Sequence, residues 1–441
     1  MYTSDILNVY ITIDDEKDVV MKLRFLTTIV ALTMTIALCG CEVDLDVSPV
    51  TQQNGQVTVT TGGTQPSSDV WDDGAKKTTT VQTTVSTKAY ATLPVLQRNP
   101  KYDNEFGMHH TLLCYTFTDV HSKNRWLPSV GYIKDGEIKG VMYDSFIILP
   151  SPYHVYFSGQ LADKKGWDRW REHNYANLET LNQAVKEVQD ALNLKDYKVK
   201  VFLSLWKPEN ANHGNWGMLN GTSYSAKNAE QSFDMVKYMV DSYNAEMATK
   251  EFANLDYAGF YWFDESFDTE MGDWYRRVTD YVHSTGKMIV HAPYYKSKGW
   301  QYSHLYGMDL VAMQSNYFHN KPIESEYTAR FERLAENAAN VRDGGGVIDG
   351  MTIECTTADD HDDMTTLKHT MKTVLEHGIE DGYYIYYFGG GASAPYVTCH
   401  SENAYIRSGY DELYRFINKT LTVESMNIEE YVNPQGGASN E

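Results

Sequence analysis

The sequence predicts an α/β protein built as a (β/α)8 TIM barrel and preceded by a flexible N-terminal tether. Eight apolar runs of strand length follow one another from about residue 105, and helix-spaced apolar stretches separate most of them. Near-continuous apolar strands that alternate with helices indicate a parallel sheet covered on both faces. A doubly wound open sheet would carry a Gly-rich phosphate turn after its first strand, and Tyr115-Thr-Phe-Thr-Asp119 offers none.

The elements are placed by their hydrophobic period. The predicted strands are residues 111–117, 145–150, 200–206, 258–265, 287–294, 310–317, 350–356 and 382–389. The predicted helices are residues 178–192, 233–247, 274–283, 327–341, 364–377 and 405–417. The first unit is the least regular, because residues 130–141 predict a hairpin around Asp135-Gly136 in place of a helix.

The N-terminal region has the parts of an export signal in the usual order. Residues 21–24 are basic, and residues 25–37 are apolar but too short to span a membrane comfortably. They end at Leu38-Cys-Gly-Cys41, which resembles a lipobox. By that resemblance Cys41 is the lipidated first residue of the mature protein, and residues 1–20 lie upstream of the true start. A cytoplasmic protein with an apolar helix is the alternative.

The remaining organisation follows from composition. The predicted segments are an upstream segment and signal peptide at 1–41, a Thr/Ser-rich linker at 42–100, the barrel at 101–420 and a C-terminal tail at 421–441. Acidic residues just after the lipobox resemble the surface-export signals of some Gram-negative lipoproteins; they are Glu42, Asp44 and Asp46. We therefore expect a protein lipid-anchored to the outer membrane, facing the periplasm or the outside.

The charge and the composition limit the classes of ligand that the protein is expected to bind. The formal net charge is −21, which argues against nucleic acid because phosphate binding needs a basic face. The 33 tyrosines and 9 tryptophans suit flat, amphipathic ligands such as sugars. We predict neither a cofactor nor a metal. The acidic run at residues 359–363 has the residue types of a metal site. It begins a helix, however, where acids cap the first turn, and we therefore favour the capping role. Cys114, Cys355 and Cys399 are predicted to be buried thiols.

Carboxylates at strand ends carry the predicted chemistry. In a barrel the active site lies where strands end and loops begin. The aromatic run of residues 256–263 stops at Asp264 and Glu265, and strand seven ends at Glu354. Glycoside hydrolysis needs one carboxyl group to protonate the leaving oxygen and another to attack or to activate water. Alternation predicts that Thr352 and Glu354 point into the barrel.

This placement resembles the superfamily of retaining (β/α)8 glycosidases, which have an acid/base after strand four and a nucleophile after strand seven. By that resemblance Glu265 is the acid/base and Glu354 the nucleophile. The sequence departs from that superfamily at two places. Asp264 stands where Asn is usual, and it is predicted either to orient a sugar hydroxyl or to be the acid itself. The strand-eight Trp is absent, so Tyr387 or Phe388 would form the sugar platform.

The predicted substrate-binding residues also lie near strand ends. They are Asp264, Trp206, His213, His291, Tyr294, Asn316, Tyr317 and Tyr387. Several alternatives stay open at this point. Trp206, Trp262 and Tyr294 are as consistent with core packing as with sugar stacking, and histidines placed like His213 and His291 are more often structural than functional.

Residues of about 105–420 also resemble an uncharacterised family of bacterial lipoprotein domains of unknown function. The resemblance rests on Met142-Tyr-Asp-Ser-Phe-Ile, Gly259-Phe-Tyr-Trp-Phe-Asp-Glu, His291-Ala-Pro-Tyr-Tyr and Gly350-Met-Thr-Ile-Glu. Such proteins accompany carbohydrate-binding modules, which implies a glycan context. The sequence thus predicts a lipoprotein glycoside hydrolase that acts with retention on a polysaccharide or glycoconjugate. A non-catalytic glycan-binding lipoprotein and a metal-assisted barrel hydrolase are the alternatives. The oligomeric state is left open.

Overall fold

The computed structural model describes residues 106–116, 120–149, 163–205, 207–208, 216–314, 348–355, 359–389 and 393–432, together with four short strands nearer the N-terminus. The chain divides into two compact units, residues 1–92 and 93–441. In the first unit two pairs of short strands run antiparallel, Asp46–Val47 with Thr61–Gly62 and Thr51–Gln53 with Gln56–Thr58. The predicted signal peptide and Cys41 lie outside the described residues.

The second unit contains a closed barrel of eight parallel strands, which confirms the predicted fold class. Each strand pairs with the next in the chain, and the eighth pairs with the first. The strands are β1 (His110–Tyr115), β2 (Ser145–Leu149), β3 (Val199–Leu205), β4 (Leu255–Trp262), β5 (Met288–His291), β6 (Leu310–Met313), β7 (Gly350–Cys355) and β8 (Tyr384–Phe388). All eight predicted strands are present, and the described residues of each end one to four residues earlier than predicted.

Helices flank the barrel. They are α1 (Lys123–Val130), α2 (Lys164–Leu192), α3 (Ala229–Met247), α4 (Gly272–Ser284), α5 (His361–His377), α6 (Ser393–Cys399) and α7 (Ala404–Ile417). Helix α2 begins well before the predicted residue 178, because Trp167 and Trp170 extend its buried face and the Asp163 side chain caps the Gly166 N–H. The predicted helix at 327–341 lies outside the described residues.

The predicted hairpin between β1 and β2 is confirmed. Gly131–Lys134 pairs with Glu137–Val141, and the turn residues Asp135 and Gly136 have φ angles of 53° and 77°. Two consecutive left-handed residues make the tight turn that matches the twist of a hairpin, which explains the Asp-Gly pair. Helix α1, directly before the hairpin, was not predicted, because Pro128 interrupts its pattern.

A close approach between β4 and β5 fixes which side chains of β4 face inward. The register of β4 shifts just before Gly259, where a Cβ atom would lie 2.1 Å from the Met288 carbonyl oxygen. A larger residue would push the two strands apart. Beyond this point Trp262 packs against Trp274 of α4, with ring centroids 6.1 Å apart, so Trp262 belongs to the outer core. Its neighbour Tyr261 consequently faces the barrel interior.

The same alternation sets the inward residues of β7 and β8. Tyr384 packs on Phe416 of α7 with ring centroids 6.0 Å apart, so it faces outward. Tyr387, three residues on, therefore faces inward. Glu354 pairs in register with Tyr387 on the adjacent strand. Because partners in a parallel ladder point to the same face, Glu354 also faces the interior, as the sequence predicts.

The segment after α7 packs against α5 and α7 through a buried charge. Lys368 of α5 is fully buried and donates hydrogen bonds to the Ser408 hydroxyl at 2.7 Å and the Asn427 carbonyl at 2.8 Å. Its ammonium lies 3.3 Å from the Glu412 carboxylate, which also accepts the Asn427 N–H at 3.0 Å. This buried pair ties the C-terminal segment to two barrel helices.

Candidate active site

The acidic pair after β4 lies in the loop at the carboxyl end of the barrel. The last sheet hydrogen bond on this side runs from the Phe263 N–H to the Leu205 carbonyl at 2.7 Å. Asp264 and Glu265 follow immediately, beyond the strand that was predicted to include them. Their side chains are therefore placed by tertiary contacts and not by the ladder of the sheet.

Asp264 is held in place from two sides. Its carboxylate accepts the Lys207 N–H at 2.6 Å, in the loop after β3. Its backbone carbonyl accepts a hydrogen bond from His291 Nε2 at 2.9 Å, at the end of β5. A carboxylate that accepts a backbone N–H is held in one orientation. These contacts favour a supporting role for Asp264 between the ends of three neighbouring strands.

His291 is a positioning residue in this structure. Its side chain is fully buried, and burial lowers its pKa to about 3, so the ring is neutral. A carbonyl oxygen can only accept, so we assign the ring proton to Nε2, which faces Asp264. Nδ1 then lies 3.1 Å from the Ser303 hydroxyl. Both nitrogens have protein partners, which favours a positioning role, and the predicted contact of His291 with substrate stays a prediction.

The side chain of Glu265 is in contact with both solvent and surrounding protein. Its side chain is exposed, yet the protein around the mouth crowds it enough that desolvation raises the pKa of its carboxyl. The two facts are compatible in a concave site, where one edge of a group meets water and the rest meets protein. A hydrogen bond from the Gln314 side chain acts in the opposite direction. A carboxyl with a raised pKa holds its proton to higher pH, as a general acid must.

Gln314, directly after β6, connects this acid to the end of β5. Its Nε2 donates to the Ala292 carbonyl at 2.6 Å, and its backbone N–H donates to the Pro293 carbonyl at 2.8 Å. Gln314 also forms an isolated parallel bridge with Tyr294. Tyr294 is half-buried and packs edge-on against Tyr295, with ring centroids 4.8 Å apart. The predicted binding residue Tyr294 thus lies beside the contact partner of Glu265.

Glu354 is the buried member of the proposed pair. Its side chain is 3% exposed, and the Thr352 hydroxyl, which faces the same way on β7, donates to its carboxylate. Tyr387 lies next to it on β8 and packs edge-on against Tyr115 of β1, with ring centroids 5.8 Å apart. One aromatic ring therefore stands on the strand next to this carboxylate, and a second ring packs against the first.

Tyr261 precedes the acidic pair and faces the barrel interior. Burial raises the pKa of its hydroxyl, and the negative charge of Glu265 raises it further. Because all eight strands of the barrel are parallel, Glu265 after β4 and Glu354 near the end of β7 lie at the same end of the barrel, with β5 and β6 between their strands.

Four of the predicted substrate-binding residues lie outside the residues that the structure describes. They are Trp206, His213, Asn316 and Tyr317. The sequence did not predict the hydrogen bond from Thr352 to Glu354 or the effect of Gln314 on the pKa of Glu265. The alternation of side chains along a strand could have predicted that Tyr261 faces the barrel interior. The position of Gln314 directly after a strand marks it as a candidate site residue.

A cleft of about 800 Å³ lies at the opposite end of the barrel. Its walls include residues just before or at the start of β2, β3, β4 and β5, among them Asp144, Lys200, Asp256 and Lys287. Lys200 and Asp256 form an ion pair across it at 2.7 Å. Barrel enzymes work at the other face, so we assign this cleft to the stabilising end of the fold.

The acidic run before α5 serves as a helix cap. The Asp360 carboxylate accepts the N–H groups of Asp362 and Asp363 at 2.9 and 3.0 Å. This confirms the predicted capping role. Within the described ranges no group of three or more His, Cys, Asp or Glu side chains is arranged to hold a metal ion. In the same ranges no helix combines the length and apolar character needed to cross a membrane. Cys114 and Cys355 are buried thiols, and Cys399 is half-buried.

The fold and the site define a (β/α)8-barrel protein with carboxylates and aromatic rings at the carboxyl-end mouth. The chain belongs to the family described as domain of unknown function DUF4855, whose profile matches residues 110–415. This match spans β1 to α7 and so covers the whole barrel. No curated protein sequence matches the chain.

Several solved structures show a distant likeness. A mutant tryptophan synthase α-subunit from Pyrococcus furiosus is 9% identical, over 73% of this chain and 99% of its own, with a TM-score of 0.32. The intracellular xylanase TsXylA from Thermoanaerobacterium saccharolyticum is 8% identical, over 65% and 86%, with a TM-score of 0.36. GH5_18 from Streptomyces cattleya is 11% identical, over 64% and 70%, with a TM-score of 0.35. Likenesses this distant bear on neither activity nor substrate.

Proposed function

We propose that this protein is a glycoside hydrolase that cleaves a glycosidic bond in a polysaccharide or glycoconjugate by a two-carboxylate mechanism. The observation that carries the proposal is the contrast between Glu265 and Glu354 at one mouth. Glu265 reaches solvent and has a raised pKa, whereas Glu354 is buried and accepts a hydroxyl hydrogen bond. Two carboxyl groups in different environments can divide the acid and nucleophile roles.

In the proposed reaction Glu265 donates its proton to the leaving glycosidic oxygen as the bond to the anomeric carbon breaks. The Glu354 carboxylate attacks that carbon and forms a covalent glycosyl ester. Water then attacks the same carbon and releases Glu354, while Glu265 takes the proton of the water. The cycle retains configuration and requires carboxyl groups about 5–5.5 Å apart. Because protonated Glu265 begins it, turnover falls as pH rises through the Glu265 pKa.

Glu265→Gln tests the proposal. We expect turnover to fall by about 10²–10⁴-fold because glutamine cannot supply the proton. Binding of the glycan should persist, since the amide is nearly isosteric. Released reducing ends are measured across a broad panel of polysaccharides, and binding is followed by affinity electrophoresis. Glu270→Gln, at an exposed position in the same loop region, is the matched control. Normal cleavage by Glu265→Gln contradicts the assignment of the acid.

A non-catalytic glycan-binding protein on the same barrel is the second candidate. The ring pairs Tyr387–Tyr115 and Tyr294–Tyr295 favour it, because partly exposed aromatic rings bind sugar faces without any chemistry. Wild-type protein that binds a glycan from the panel and releases no reducing ends would support this candidate over hydrolysis. Activity abolished by a chelator would instead indicate a metal-assisted hydrolase.

We also propose that Cys41 anchors the protein to the outer membrane through a lipid. The basic, apolar and Cys-containing parts of residues 21–41 support this proposal. Cys41→Ala should move the protein from the membrane fraction to the soluble fraction and abolish labelling with radioactive palmitate. Cys39→Ala, two residues earlier, should keep both properties because it leaves the acceptor thiol. Equal palmitate labelling of Cys41→Ala and wild type would exclude Cys41 as the anchor.

A further inference from the structure

We infer that Phe267 is a positioning residue that fixes the acid loop, residues 264–268, and thereby holds Glu265 at the mouth. The catalytic meaning of this inference rests on the proposed function, whereas the fixed loop itself does not. Glu265 lies three residues beyond the end of β4, so the sheet does not hold it. An exposed side chain in a loop keeps a constant position only if the chain on both sides of it is fixed.

Hydrogen bonds hold the acid loop on both sides of the glutamate. Before it, the Asp264 carboxylate accepts the Lys207 N–H at 2.6 Å, and the Asp264 carbonyl accepts His291 Nε2 at 2.9 Å. After it, the Phe267 N–H donates to the Lys298 carbonyl at 2.8 Å. The partners belong to the loop after β3, the end of β5 and the loop after β5. The acid loop is therefore fastened to both of its neighbours in the barrel.

The ring of Phe267 is enclosed by three other rings. The residue is 1% exposed. Its ring centroid lies 4.8 Å from that of Tyr275, 4.8 Å from that of His291 and 5.1 Å from that of Tyr306. These rings come from α4, from β5 and from the segment between β5 and β6. The imidazole that contacts Phe267 also binds the Asp264 carbonyl, so His291 contacts the acid loop before and after the glutamate.

A fixed loop matters for proton transfer because the geometric tolerance is small. A general acid must lie within hydrogen-bond reach of the oxygen that it protonates. A displacement of about 1 Å, caused by a mutation away from the reacting atoms, can cost on the order of 100-fold in rate. A loop that is ordered before substrate binds also avoids the entropy cost of ordering it during the reaction. Because Phe267 is buried and apolar, it acts on the reaction only through the position of Glu265.

Hydrogen–deuterium exchange of the full-length protein in detergent micelles tests the fixed loop directly. Phe267→Leu removes part of the enclosed ring, and the amides of the acid loop should then exchange about tenfold faster or more. Phe416→Leu is the matched control, because Phe416 is 2% exposed and packs on Tyr384, away from the mouth. It should lower the urea midpoint by a similar amount and leave this exchange unchanged. Equal exchange of the acid loop in the two variants would overturn the inference.

Gly299→Ala disturbs Phe267 without replacing it. Gly299 has a φ of 78°, and a Cβ atom there would lie 3.0 Å from both the Cβ atom and the carbonyl oxygen of Phe267. Gly286→Ala is its control, because Gly286 has a φ of 72° and no described atom lies within 4 Å of such a Cβ. Both variants strain a left-handed backbone position. Only Gly299→Ala should speed exchange in the acid loop, and equal exchange in these two variants would count against the inference.

With a cleaved substrate in hand, kinetics test the catalytic meaning of the fixed loop. Phe267→Leu should lower kcat by about 10–100-fold and change KM by less than about threefold, because the misplaced acid is needed in the transition state and not for binding. Phe416→Leu should keep the wild-type kcat. Faster exchange in Phe267→Leu with an unchanged kcat would overturn the positioning role. Faster exchange in Phe267→Leu combined with normal turnover by Glu265→Gln would uphold the fixed loop and reject the proposed function.

Discussion

Glu354→Ala is expected to lower turnover by roughly 10⁴-fold or more, because in the proposed mechanism it removes the carboxylate that forms the covalent bond to the sugar. Glu354 is 3% exposed and faces the barrel interior beside Tyr387. Initial rates on the best substrate of the polysaccharide panel, or on an aryl glycoside of the same sugar, measure the loss.

Azide rescue separates the role of Glu354 from that of Glu265. In Glu354→Ala a small anion can occupy the vacated space and attack the anomeric carbon once, which gives a glycosyl azide of inverted configuration. In Glu265→Ala the proposed covalent intermediate should still form on Glu354, and azide should attack it and give a product of retained configuration. Glu376→Ala, at an exposed position on α5, should keep full activity without azide. A retained azide product from Glu354→Ala would reverse the two assignments.

Lys368→Met is expected to destabilise the protein by about 3–5 kcal/mol, because it leaves the buried Glu412 carboxylate without its cation. Lys368 is fully buried and Glu412 is 5% exposed, with 3.3 Å between the charged atoms. The ammonium also holds the Asn427 carbonyl, so the segment after α7 loses an anchor in the same step. Urea unfolding followed by far-UV circular dichroism gives the change in unfolding free energy.

An exposed pair on the same helix provides the control for this prediction. Lys372 and Glu376 lie 3.5 Å apart at i,i+4 spacing, with solvent-exposed side chains. Lys372→Met should change the unfolding free energy by no more than about 0.5 kcal/mol, because solvent screens such pairs. The double variant Lys368→Met with Glu412→Leu should recover much of the loss, since it leaves no buried charge unpaired. Equal stability of Lys368→Met and Lys372→Met would contradict the structural role of the buried pair.

The strands were predictable because barrel strands are buried on both faces. Runs such as Ser145–Leu149 and Val199–Leu205 are almost wholly apolar or aromatic, and that pattern is visible without any tertiary information. The strand ends were less predictable, because polar and aromatic residues continue the run after the ladder stops. Residues 263–265 are an example of a strand end that the sequence pattern does not locate. They extend the β4 pattern, but the last backbone pairing is made at Phe263.

The two neighbouring acids, Asp264 and Glu265, show what the pattern of the sequence does not decide. Sequence reasoning placed Asp264 and Glu265 together and left the choice of acid between them. The structure fastens the Asp264 carboxylate to Lys207, 57 residues away, and leaves Glu265 at the mouth beside Gln314. It also buries His291 and places its Nε2 within hydrogen-bond distance of the Asp264 carbonyl, which the sequence did not indicate.

The sequence by itself determined the alternation of eight strands with helices, the barrel class and the candidate acids, because hydrophobic period and strand-end position are local properties of the chain. Only the tertiary structure decided which acid meets solvent, which histidine is buried and which amide reaches Glu265. These outcomes depend on hydrogen bonds between the ends of β3, β4, β5 and β6, whose residues are far apart in the chain. Their proximity arises only when the barrel closes.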